Sequence, residues 1–201
     1  ILHWLGDMFD PALKGYWGAD GFEDAVETVL AIIEENRSRI DGIKISLLDS
    51  EKEVILRRRL PAGVRMYTGD DFNYPELIEG DAQGFSHALL GIFDPLALAA
   101  AQAVNRLGAG DVTGFRAILD PTVPLARLIF RAPTQYYKTG VVFLAWLNGF
   151  QDHFIMLNGA QAMRPLPYFT QIFRLADGCG LLRDPMLAVA RMKTLLALYG
   201  A

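Results

Sequence analysis

The stretch IDGIKISLLDS, residues 40–50, places a lysine in the middle of an apolar, strand-like run. Lys44 stands between Ile43 and Ile45, with Gly42 and Ser46 one step further out. Side chains alternate across a strand, so residues 41–47, read as a strand, sort into two sets. Ile43, Ile45 and Leu47 share one face, and Gly42, Lys44 and Ser46 share the other. The apolar face must meet helices, so the small and polar face becomes the interior of a barrel, with Lys44 pointing inward. Burial favours the neutral amine. A lysine neutral near pH 7 is a nucleophile for carbonyls and can form a Schiff base. The competing reading is a buried lysine paired with a carboxylate.

Working outward, short apolar runs alternate with helical patterns. Residues 1–4 read as a strand, in which His3 shares a face with Ile1 while Leu2 and Trp4 share the other. Residues 22–38 repeat apolar positions at helical spacing, with Phe22, Val26, Val29, Leu30 and Ile33 on one side. Residues 50–60 read as a helix that opens on a capping box, Ser50 with Glu53, and ends before Pro61. Residues 64–69 form a third strand, 74–80 a short helix closed by Gly80, and 84–90 a fourth strand. This alternation is the pattern of parallel βαβ units. After about residue 94 helical patterns follow one another at 94–107, 111–119, 122–131, 138–149, 165–178 and 184–199. The expected class is α/β: the second half of a (β/α)8 TIM barrel over 1–107, then a C-terminal α-helical extension over 108–201. Four strands are half of a complete barrel of that kind, and a whole one needs about 250 residues.

Composition narrows the function classes. The 201 residues are 52% hydrophobic and 21% charged, which suits a packed core and not a disordered chain. The net charge of −4 and the lack of a basic stripe argue against nucleic acid. One cysteine, Cys179, makes no internal disulfide and fits a reducing, cytoplasmic setting. It reads as a small packed hydrophobe. The run VVFLAWLNGF is too short to span a bilayer, and LLGIFDPLALAAAQAV is broken by Asp94 and Pro95, so no membrane partner is expected. The opening ILHWLGDMFDP has no initiator methionine and begins inside a strand pattern, so a preceding segment is expected to be processed or missing.

Several polar residues converge with Lys44. Gly69, Asp70 and Asp71 fall at the carboxyl end of the third strand, where barrel active sites are built. Ser86 and His87 come from the fourth strand, and His3 from the first. A GDD triplet alone is weak evidence, because turns and helix caps use it often. A strand histidine alone is more often structural.

The segment DGIKISLLDSEKEVILRRRLPAGVRMYTGDD (residues 41–71) resembles the dihydrodipicolinate synthase and N-acetylneuraminate lyase superfamily of class I aldolases. There a "GIKE" strand carries the Schiff-base lysine, a helix follows, and the next strand ends in "SGDD". GDAQGFSHALL (residues 80–90) resembles the "GADGxIS" entry to the last strand. More closely the chain resembles the DUF993 family, a bacterial branch of that superfamily. The resemblance covers residues 1 to about 150. It implies that Lys44 is the Schiff-base lysine and that Gly69, Asp70 and Asp71 line the substrate site. It sets His3 where the superfamily has a proton-relaying tyrosine, a task histidine can perform near neutral pH. The family's "LYNVP" continuation is replaced by LGDMFDPALKGYWG, and the loop after the lysine by ISLLDS.

The leading expectation is therefore a Schiff-base lyase or synthase acting on an α-keto acid or sugar-derived acid, without cofactor or metal. Lys44 and His3 would be catalytic, and Gly69, Asp70, Asp71, Ser86 and His87 would bind substrate. The partner would be a small carbonyl compound, with a homo-oligomer as the working form. One alternative is a metal-dependent barrel enzyme, a sugar isomerase or class II aldolase, with His3, Asp70, Asp71 and His87 as ligands. Another is a non-catalytic scaffold or binding protein on a barrel-derived fold. In the tail, aromatics from Tyr136 to Phe154 read as core or subunit interface, Lys138 and His153 as structural, and Arg164 as able to reach a carboxylate from its loop.

Overall fold

The computed structural model describes residues 1–200, in two compact units that divide between Gly91 and Ile92. The first unit alternates strand and helix: β1 (Leu2–Leu5), α1 (Phe22–Glu35), β2 (Gly42–Ser46), α2 (Ser50–Arg59), β3 (Arg65–Thr68), α3 (Tyr74–Glu79) and β4 (His87–Ala88). The strands form one parallel sheet in the order β1-β2-β3-β4. Register aligns His3 with Lys44, Lys44 with Tyr67, and Tyr67 with His87, so one row crosses all four strands.

The opposite face of the sheet carries the core. Trp4, Ile43, Ile45 and Met66 pack with Val26, Val29 and Ile33 of α1 and Leu56 of α2. Val26, Val29 and Ile33 are fully buried, and each contributes about 1.5–3 kcal/mol by leaving water. α1 forms because these apolar positions recur at helical spacing and Glu23 and Asp24 stand in its first turn, where the helix dipole favours acids.

Two local expectations are corrected. The N-cap of α2 is Asp49, whose carboxylate accepts from the Lys52 N–H at 3.2 Å. Ser50 is the first helical residue, and Glu53 is drawn into the interior instead of folding back on the cap. The last strand is two residues long, not seven. Residues 81–86 are held by other bonds: Asp81 N–H to the Gly84 carbonyl, and Ser86 N–H to the Leu77 carbonyl at the end of α3. Only from His87 does the chain meet β3.

The second unit is helical: α4 (Phe93–Gly108), α5 (Val112–Leu119), α6 (Val123–Ile129), α7 (Tyr137–Leu147), α8 (Leu166–Gly178) and α9 (Pro185–Leu198). Asp111 and Asp184 cap α5 and α9 through the N–H groups of Gly114 and Leu187. α7 is the central element, with Phe143, Leu144 and Leu147 buried against neighbours that include Phe169 and Ile172 of α8. Gly140 permits close approach: a side chain there would meet Tyr168 Oη and come within 3.1 Å of Ile129 and Ile172. Arg164 is turned away from the role read in its sequence position. It is buried, donating to the carbonyls of Arg131, Ala132 and Pro133. No helix among the described residues is long and apolar enough to cross a membrane.

Candidate functional site

The face of the sheet away from the core carries Gly42, Lys44 and Ser46 of β2, flanked by His3 of β1 and by Tyr67 and Gly69 of β3 and its end. His3 Nε2 lies 3.0 Å from Ser46 Oγ, so the imidazole and the hydroxyl two residues beyond Lys44 form a pair. Partial burial pushes the His3 pKa down, and the Lys44 charge pushes it further the same way. His3 is therefore a neutral imidazole near pH 7, able to take up or give back a proton.

Gly69 supplies the space beside the lysine. A Cβ at this position would stand 2.6 Å from Lys44 Cε and 2.8 Å from the Ile45 carbonyl oxygen, and would collide with Ser46 Oγ. The Gly69 N–H donates to that same Ile45 carbonyl at 2.7 Å, which seats the end of β3 against β2. Lys44 is half-buried and Ser46 buried, and the lysine stem passes close to the bare backbone of Gly69. Tyr67 leans toward the other end of the strands. Its ring edge lies where a Gly42 side chain would be, and its hydroxyl donates to Asp41 at 2.5 Å. His87 packs its ring against Tyr67 and Phe85.

The structure thus brings His3, Lys44 and Gly69 together with Ser46, and sets His87 in the same row two strands away. Asp70 and Asp71 are buried at the carboxyl end of β3. The Asp70 carboxylate is committed to the following turn: it accepts from the N–H groups of Phe72 and Asn73 and from Asn73 Nδ2. Burial raises its pKa despite those bonds. Asp70 therefore shapes the loop that follows β3. Ser86 faces the other way, receiving a bond from Arg57 Nη1 of α2 at 3.3 Å, on the helix side of the sheet. Among the described residues no group of three or more His, Cys, Asp or Glu side chains is placed to hold a metal ion.

Two features were not singled out from sequence. One is Glu53, read as half of a capping box and found buried, accepting from Thr68 Oγ1 at 2.9 Å. The other is a cavity of about 220 Å³ beside the carboxyl end of β1, lined by Trp4, Tyr16, Trp17, Phe22, Asp7 and Lys52 among others. It is built by the segment LGDMFDPALKGYWG, and Lys44 does not line it. The density of aromatics in that segment was the available signal.

No curated protein matches the chain. The family described as "Protein of unknown function (DUF993)" matches residues 1–201. The chain, matched from end to end, belongs to the DUF993 family.

Proposed function

We propose that the chain carries the imine-forming centre of a Schiff-base lyase or synthase, similar to the dihydrodipicolinate synthase type, acting on an α-keto acid or sugar-derived acid. The observation that carries this reading is Lys44 in mid-strand on the polar face of the sheet, with His3 on the neighbouring strand at one side, Gly69 at the end of the other, and Ser46 touching both. On this reading the four parallel strands are half of a (β/α)8 barrel. On the same reading the working form is a homo-oligomer in the cytoplasm, a reducing compartment that suits the free Cys179.

The chemistry follows from the groups present. In its unprotonated form the Lys44 amine adds to the substrate carbonyl, and the carbinolamine loses water to give an iminium. The iminium draws electrons from the adjacent carbon, so a C–C or C–O bond beyond it can break or form. Each step moves a proton. The His3 imidazole, hydrogen-bonded to Ser46, is the group positioned to accept one as the carbinolamine forms and return it as water leaves. Gly69 leaves room for the tetrahedral carbon beside the lysine stem.

Borohydride reduces an iminium to a stable secondary amine. Incubating the full-length protein with pyruvate, adding borohydride and mapping the mass shift tests the reading. A single adduct on Lys44, absent in Lys44→Ala, is the expected result. A folded protein that turns over substrate but forms no adduct with any keto acid overturns it.

A further inference from the structure

Glu53 stands in the first turns of α2, where a glutamate normally faces water, yet it is 1% exposed. Its Oε2 accepts from Thr68 Oγ1 at 2.9 Å, and Thr68 Oγ1 in turn accepts from the Asp70 N–H at 3.1 Å. The residue between those two anchors is Gly69, the wall beside Lys44 Cε. We propose that Glu53 is a positioning residue for the Lys44 site: acting through Thr68, its carboxyl fixes the 68–70 turn and so holds Gly69 against the lysine stem. This rests on the reading of Lys44 as the reactive amine.

The face of α2 that meets the sheet also carries the buried Leu56. A carboxyl there is tolerated only when hydrogen-bonded. Of its two oxygens, Oε2 meets the Thr68 hydroxyl, whereas Oε1 is buried without a hydrogen-bond partner. The hydrogen bond with Thr68 ties the group to the 68–70 turn and acts together with Ser86 against the cost of burial. The charged groups acting on Glu53 are Arg57 of its own helix and Asp70 of the turn it holds. Arg57 is shared with Asp81, at 2.9 Å, and with Ser86. On the α1 side, Glu23 and Glu27 pair with Arg59 at the surface. Burial dominates and pushes the Glu53 pKa up to about 7, against the bonds from Ser86 and Thr68. Around neutrality the group thus passes from acid to carboxylate. Ionisation converts the Thr68 bond into a stronger charge-assisted one, so the turn grips Gly69 more tightly above pH 7 and confines Lys44.

Reductive methylation with formaldehyde and cyanoborohydride reports amine reactivity without any substrate. In the full-length protein, labelling of Lys44 is measured against the exposed Lys193 on both sides of pH 7. The Lys44/Lys193 ratio is expected to fall by about threefold or more as pH rises through 7, the size of coupling carried by such contacts. That step should vanish in Glu53→Gln and in Thr68→Val, and persist in Thr68→Ser. A ratio without a step in the wild-type protein overturns the proposal, and this arm needs no variant to fold. A step that survives in folded Glu53→Gln or Thr68→Val also overturns it. Failure to trap pyruvate while the step stands would sink the lyase reading alone.

Discussion

Gly69 shows how narrowly the space around Lys44 is drawn. The Ile45 carbonyl that a methyl at position 69 would meet at 2.8 Å is backbone, bonded to the Gly69 N–H itself, and cannot move aside. The Lys44 stem at 2.6 Å would have to swing out instead. Gly69→Ala is therefore expected to cost about 1–3 kcal/mol of stability through overpacking. It should also abolish the borohydride-trapped adduct, because the displaced amine loses its place beside His3 and Ser46. Denaturation midpoint and intact mass after trapping check the two effects. A folded Gly69→Ala protein that still traps pyruvate as the wild type does would show that the glycine serves packing alone.

Among the elements, α2 holds the largest departure from what its residues suggest. In the unfolded chain Glu53 ionises near the ordinary 4.5, and in the folded protein near 7. Below pH 4.5 both states carry the proton and burial is harmless. As pH rises toward 7 the unfolded chain releases the proton first, so stability falls across that window, by about 3 kcal/mol in total. Glu53→Gln keeps the shape and removes the titration. It should match the wild type near pH 4 and exceed it in thermal midpoint at pH 8. Equal midpoints at pH 8 would show that the carboxyl is comfortably ionised where it sits. The strand face bearing His3 and Lys44 was legible in the sequence because alternation is local: Ile43 and Ile45 declare the core side whatever the rest of the chain does. Glu53 was not legible. The sequence DSEK fits a cap at Asp49 or at Ser50 equally well, and which side of α2 is buried depends on where the helix lies against β3. Ser86 was misplaced for a related reason. The bond from its N–H to Leu77 delays the last strand and turns its hydroxyl toward Arg57. The six later helices were legible nearly to the residue, since Pro and Gly punctuate them and Asp caps two of them.

For the molecule as a whole, the proposed site and the aromatic bulk are separated along the chain. The polar row sits in the strand-and-helix unit, and an aromatic cluster around Phe143, Phe154 and Phe169 in the helical one. The row itself takes one residue from each strand: His3, Lys44, Tyr67 and His87. It exists only while every strand keeps its parity, because a slip of one residue exchanges the two faces. Deleting a single residue inside β2 would send Lys44 toward α1 and α2 and bring an isoleucine into the row. An added residue at the exposed Ala62–Gly63 turn leaves every strand in phase. A library of one-residue insertions and deletions, scored for Lys44 trapping, should therefore show sharp intolerance over 42–46 and 65–68 and a permissive gap at 62–63. The centre is thus encoded as much by counting as by side-chain identity, so length changes that such a turn absorbs would erase it two residues further on.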